Sequence, residues 1–197
     1  MSRYHRAAAA LVFVLALAGC SKSKQEIEAN MPPDSKRQKA PEISLKDADN
    51  NTVTLADYKG KVVLINFWAT WCGPCEAEIP WFIEFEQKYK GRDFAVLGIS
   101  MDDDGWKSVR PYVARHKMSY RVVIGTETVA QKFGEIDALP TTFIVDRQGR
   151  IAAHHVGLVD KRDYQNEILK LLDDPKSAAV SGAGAGVLAG LLRPAHR

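Results

Sequence analysis

The chain has 197 residues, enough for one globular domain with extensions. Its apolar content is ample for a single core, and a net charge of +3 without a basic, aromatic-interleaved patch argues against nucleic acid as a partner. Its three cysteines, Cys20, Cys72 and Cys75, exclude a scaffold stapled by several structural disulfides.

Arg3 and Arg6 precede an apolar run from Ala7 to Ala18 that is too short to span a bilayer comfortably. The pattern predicts an export signal over residues 1–19. Its last residues, Leu17-Ala18-Gly19-Cys20, resemble a bacterial lipobox, which implies lipidation of Cys20 and attachment to a membrane. An ordinary secretory signal or an uncleaved anchor would instead leave Cys20 incidental. Each reading places the mature protein outside the cytoplasm, where disulfides persist. Residues 20–40 are rich in Lys, Ser, Gln, Glu and Pro and predict a flexible tether. About twenty coil residues have a reach on the order of 25 Å.

The folded domain is expected over residues 41–173. Ile43-Ser44-Leu45 and Thr52-Val53-Thr54-Leu55 alternate around Asp49-Asn50-Asn51, which predicts a β-hairpin. Val62 to Trp68 is uniformly apolar apart from Asn66 and predicts a buried central strand. Pro74 to Lys90 carries a helical pattern, with Pro74 in its first turn, Pro80 inside it and Gly91 as its expected cap. Phe94 to Met101 predicts a strand and Trp106 to His116 a helix. Arg121 to Ile124 is a short strand and Thr126 to Phe133 a short helix. Thr141 to Val145 and Ile151 to Val156 flank Asp146-Arg147-Gln148-Gly149, a hairpin turn. Asp160 is an N-cap for a last helix whose apolar face carries Tyr164, Ile168, Leu171 and Leu172. Alternating strands and helices, then a closing hairpin, give an α/β class with a mixed sheet flanked by helices. Residues 174–197 turn to Ala, Gly and Ser and read as a disordered, low-complexity tail; no strand precedes Gly182-Ala183-Gly184-Ala185-Gly186, so it is not a dinucleotide loop.

The chemistry concentrates at Trp71-Cys72-Gly73-Pro74-Cys75, where a strand turns into a helix. A sulfur at a helix start meets the positive end of the dipole, which favours the thiolate. Cys72 is therefore the expected nucleophile toward a partner disulfide. Cys75 lies one turn further on, close enough to form a Cys72–Cys75 disulfide and to resolve the mixed disulfide. Metal is not expected, because four zinc ligands cannot be assembled from one Cys pair and His116, His154, His155 and His196. Gly73 and Pro74 set the turn between the sulfurs and bear on their redox poise. Glu78 follows Cys75 by three residues, so Cys72, Cys75 and Glu78 share one helical ridge. A carboxylate there can take the Cys75 proton, and burial would raise its pKa to a useful value. Trp71 offers a flat contact to a partner, whereas Trp68 belongs to the core. Pro140 after Leu139 is compatible with a cis peptide bond beside the sulfurs or with a trans proline opening a strand. His154 and His155 point to opposite faces of their strand. Asp102-Asp103-Asp104 reads as a solvated acidic loop.

The stretch from Val62 to Pro80, together with Leu139-Pro140-Thr141-Thr142-Phe143-Ile144-Val145-Asp146, resembles TlpA/ResA-type proteins, which are extracytoplasmic, membrane-tethered, thioredoxin-like oxidoreductases. The resemblance implies a thioredoxin fold with an N-terminal β-hairpin and a central βα insertion at Phe94 to Met118. It implies Cys72 as attacking thiol, Cys75 as resolving thiol, Glu78 as the active-site acid, and Pro140 as the cis-proline that with Leu139 borders the substrate. Asn66 stands where cytosolic thioredoxins carry a buried Asp, so the proton role passes to Glu78. No cofactor is implied. The implied partners are disulfide-bearing envelope proteins, possible apocytochrome c among them, and a membrane thiol donor of the CcdA/DsbD type. A thiol peroxidase of the peroxiredoxin type, and a non-redox chaperone or adaptor tethered to the membrane, are the alternatives.

Overall fold

The structure is a computed structural model that describes residues 31–174. The signal, the Cys20 lipidation site and the Ala/Gly-rich tail lie outside the described residues. Strand β1 (Ser44–Lys46) pairs antiparallel with β2 (Thr52–Thr54), with Leu45 opposite Val53. The main sheet contains β3 (Val62–Trp68), β4 (Phe94–Ser100), β5 (Arg121–Ile124), β6 (Thr141–Val145) and β7 (Ile151–Val156) in the order β5-β4-β3-β6-β7. β3, β4 and β5 run parallel, whereas β6 and β7 are antiparallel to their neighbours. The helices are α1 (Gly73–Tyr89), α2 (Trp106–His116), α3 (Glu127–Lys132) and α4 (Lys161–Leu172). This is the mixed sheet expected from the element order, with the hairpin before it.

β3 is buried along its whole length because both faces of the sheet are covered. Val62, Leu64 and Trp68 pack in the cluster formed with α1, α2 and α4. Val63, Ile65 and Phe67 face the other way, into the hairpin and α3. Gly98 lies opposite Asn66 in register, and a Cβ there would come within 3.0 Å of the Trp68 indole nitrogen and 3.1 Å of the Tyr120 ring. Glycine at that point gives the Trp68 ring its place beneath the redox turn.

Two local expectations change. Residues 31–40 do not act as free tether: Met31 is buried, Ala40 N–H donates to Gly149 O at 2.9 Å, and Ile151 N–H donates to Gln38 O at 2.8 Å. Buried Asp146 accepts from Arg37 at 3.2 Å and from the Arg150 backbone and guanidinium at 3.0 Å each. The folded domain therefore includes residues 31–40 as well as those from Pro41 on, because a buried carboxylate between two arginines holds this polar segment against the β6–β7 turn. The end of α1 also differs from expectation. The chain passes through a tight turn over Lys90–Arg92, and the left-handed residue is Asp93 at φ 55°, not Gly91.

Candidate active site

Cys72 is the N-cap of α1, in extended conformation, and its sulfur accepts the Cys75 backbone N–H at 3.2 Å. Pro74 occupies the first turn, where its missing N–H leaves no gap in the helical ladder. The two sulfurs form a disulfide across a Cα–Cα separation of 5.3 Å. Cys72 is 5% exposed and Cys75 1%, so the first sulfur is the one nearer to solvent. Helix N-terminus and amide donor together favour negative charge on Cys72 once the disulfide opens.

The turn that presents the pair is held from below by Asp102. That carboxylate accepts Thr70 N–H at 3.0 Å, the Thr70 hydroxyl at 2.5 Å and the Ser100 hydroxyl at 2.8 Å. Only Asp103 and Asp104 of the acidic run are solvated, as expected for all three; Asp102 is buried. It is buried because β4 ends beside β3 and turns its second loop residue onto the Thr70 amide.

Leu139–Pro140 is a cis peptide bond. In the antiparallel β3–β6 pairing Thr141 lies opposite Phe67, at the end of β3 that leads to the cysteines. The cis-proline therefore stands at the same end of the sheet as Cys72 and Cys75. Pro140 O accepts Gly157 N–H at 2.7 Å, which brings the Val156–Leu158 segment alongside. Trp71 at 72%, Val156 at 58% and Leu158 at 49% exposure are the large exposed apolar residues among the described ones. All three flank the redox turn or the cis-proline, and Leu139 is half-buried beside them. Trp81 is half-buried and packs against the α1 core cluster.

Glu78 is completely buried on α1. Its Oε1 accepts the Tyr164 hydroxyl at 2.7 Å, and its Oε2 makes no hydrogen bond. Burial pushes its pKa up to about 7; the Tyr164 hydroxyl, the His155 ring and the Val159 amide, which is near the carboxyl but outside hydrogen-bonding geometry, offset this only in part. Tyr164 is raised in turn, chiefly by its burial and by the Glu78 charge. Asn66 donates from Nδ2 to Thr142 Oγ1 at 3.0 Å, and the Thr142 hydroxyl lies close to Tyr164 and offsets part of its raised pKa. The two histidines separate as expected. His154 stacks on Phe143 at 4.4 Å between ring centres, and His155 pairs with buried Glu167 at 2.8 Å.

Tyr164, Thr142 and Asp102 were not legible as site residues. Tyr164 has the spacing of a core position on α4, and its hydroxyl is the signal that could have flagged a buried acceptor. Thr142 could have been suspected only from its place after Leu139-Pro140.

A paired-sulfur switch beside a cis-proline, with a buried carboxyl one turn along the helix, is suited to thiol–disulfide exchange. Residues 35–170 match the Redoxin family. The chain belongs to the Redoxin family. It is similar to the thiol-disulfide oxidoreductase ResA of Geobacillus kaustophilus, at 31% identity over 129 residues covering 66% of this chain and 74% of the relative. The thioredoxin-like protein YneN of Bacillus subtilis is 32% identical over 133 residues, covering 66% and 77%. Among solved structures, a thiol:disulfide interchange protein of the thioredoxin family from Chlorobium tepidum matches with TM-score 0.64 at 29% identity, covering 71% of this chain and 99% of that one. This Redoxin-family chain is thus a ResA-type, thioredoxin-like thiol-disulfide oxidoreductase, and its fold is the thioredoxin fold anticipated from its motifs.

Proposed function

We propose that the protein reduces disulfides in other proteins of the cell envelope, with Cys72 as attacking thiol, Cys75 as resolving thiol and Glu78 as the acid–base group. The observation that carries this reading is the apolar rim of Trp71, Val156 and Leu158 around a nearly buried sulfur pair. A small disulfide needs no such rim, whereas an extended polypeptide with apolar side chains beside its cystine gains by covering it. Gly73, Pro74, Leu139 and Pro140 complete the border of that surface. The paired sulfurs favour exchange over a peroxidase reading, which needs one isolated reactive cysteine. A chaperone or adaptor reading predicts that the Cys72→Ser, Cys75→Ser double variant complements fully in cells.

Trp71→Ala and Leu158→Ala are expected to raise KM for a protein disulfide about tenfold each, the scale of one large apolar contact. Turnover of a small aromatic disulfide should stay within about twofold. Equal losses on both substrates would remove the rim from substrate binding.

The same proposal places the protein at a membrane through a lipid on Cys20, after removal of residues 1–19. Among the described residues no helix is long and apolar enough to cross a membrane. Electrons would come from a membrane thiol donor of the CcdA/DsbD type, and apocytochrome c is a candidate acceptor. A Cys20→Ala variant is expected to shift from the membrane fraction to the soluble envelope fraction. Retention in the membrane would exclude lipidation as the anchor.

A further inference from the structure

Two buried hydrogen bonds, joined by a close polar contact, lie behind Glu78. Asn66 Nδ2 donates to Thr142 Oγ1, the Thr142 hydroxyl lies beside Tyr164, and Tyr164 donates to Glu78 Oε1. An amide nitrogen can only donate and an ionised carboxylate can only accept, which sets the direction of both bonds. A hydrogen bond to a carboxylate is strongest where water is excluded. Asn66, Glu78, Thr142 and Tyr164 are each at most 1% exposed. The Tyr164 ring has no freedom to turn its hydroxyl away. It packs edge-on against Phe82 at 5.4 Å and against His155 at 5.2 Å between ring centres.

We propose that Tyr164 is a positioning residue for the redox step, holding Glu78 Oε1 so that Oε2 alone takes and returns the proton of Cys75. This rests on the acid–base reading of Glu78. In the resolving step the Cys75 S–H proton passes to Glu78 Oε2. The Cys75 thiolate then forms a bond to Cys72 Sγ. The bond between Cys72 and the substrate sulfur breaks, and its electron pair leaves on the substrate sulfur, which takes a proton from water. The dithiol of the protein is oxidised to the disulfide and the substrate sulfur is reduced to a thiol. With Oε1 occupied by a fixed donor, the proton has a single landing place, on the ridge shared with the sulfurs.

The titratable groups facing Glu78 come from three further elements. Tyr164 approaches from α4 and His155 from β7, with Glu167 behind it on the ring nitrogen. Tyr120, immediately before β5, is buried and near enough to feel the Glu78 charge. His155 is hydrogen-bonded to Glu167, and among the described residues the Tyr164 hydroxyl makes the direct hydrogen bond to the Glu78 carboxyl.

The test is the pH dependence of the resolving step in the full-length protein, between pH 5 and 9, by stopped-flow release of a thiol from a preformed mixed disulfide at Cys72. Tyr164→Phe keeps the ring and removes the donor. Its midpoint is expected to move up by about one pH unit, a tenfold change in proton affinity. In a Glu78→Gln background the same change should do nothing. Thr142→Val removes the hydroxyl beside Tyr164 and should move the midpoint the same way by less; it serves as the readout if Tyr164→Phe does not fold. Superimposable wild-type and Tyr164→Phe profiles, with Glu78→Gln still shifted, would leave Tyr164 as packing only. A profile that Glu78→Gln itself does not alter would overturn the acid–base reading and the inference with it.

Discussion

A Cys72→Ser chain is expected to lose disulfide exchange by on the order of 10⁴-fold or more, the scale seen when a covalent nucleophile is deleted. Cys75→Ser is expected to behave differently. It should react once with a disulfide and stop, with the substrate held on Cys72. The asymmetry follows from position. Cys72 caps the helix, is the more exposed sulfur and receives the Cys75 amide, whereas Cys75 is one turn inside and almost completely covered. Intact-mass and peptide mass spectrometry of the reduced Cys75→Ser protein, after incubation with an oxidised protein substrate, should find one adduct at residue 72. An adduct that forms at residue 75 in Cys72→Ser and not at residue 72 in Cys75→Ser would reverse the assignment. The same trapped species, recovered from the native cell, identifies the physiological partner.

The second large effect is on stability. Glu78 has a folded pKa of about 7 against an ordinary value of 4.5, so the folded state holds a proton that the unfolded chain releases between those values. Unfolding then releases that proton, and stability falls as pH rises from about 4.5 to about 7 and is level above. The shift corresponds to on the order of 3 kcal/mol of penalty carried at pH 8. Glu78→Gln removes the charge and keeps an acceptor for Tyr164. It is expected to be more stable than the parent at pH 8, by up to that amount less the cost of its unpaired amide, and close to the parent near pH 4.5. His154, whose burial and neighbour His155 hold its pKa below the usual value, acts in the opposite sense over part of this range. The difference between variant and parent therefore isolates Glu78. Denaturant midpoints of the two proteins at a series of pH values measure it, and parallel curves would contradict a buried carboxyl with a raised pKa.

A buried acid that destabilises the resting fold is expected where proton transfer is the task. Its neighbours limit the penalty without abolishing it. Tyr164 donates to one oxygen, His155 lies close, and the second oxygen is left without a hydrogen bond.

Much of this was legible in the chain because the decisive patterns are local. The apolar run Val62 to Trp68, the Cys-Gly-Pro-Cys turn and the helix after it lie within a few dozen residues, and each element follows from its own neighbours. The two hairpins, the Thr126 cap that accepts Val129 N–H at 3.3 Å and the Asp160 cap that accepts Arg162 N–H at 2.8 Å are equally local. The docking of residues 31–40 was not legible, since its polar composition matches that of a free segment. What holds it is Asp146, more than a hundred residues away along the chain. Asp102 looked like its solvated neighbours for the same reason: nothing in an acidic triplet tells which member β4 will turn inward.

By itself the sequence determined the redox chemistry: two sulfurs one turn apart at a helix start, and a carboxyl on the same ridge. Those are properties of covalent spacing and helical period, and they survive any packing of the rest. Only the tertiary structure decided which donor meets the carboxyl, which aspartate braces the turn and where the rim for a partner lies. Tyr164 and Glu78 are 86 residues apart in the chain and 2.7 Å apart in space. Contacts of that kind arise when separate elements close over one core, and burial there, rather than residue type, sets a group's proton affinity.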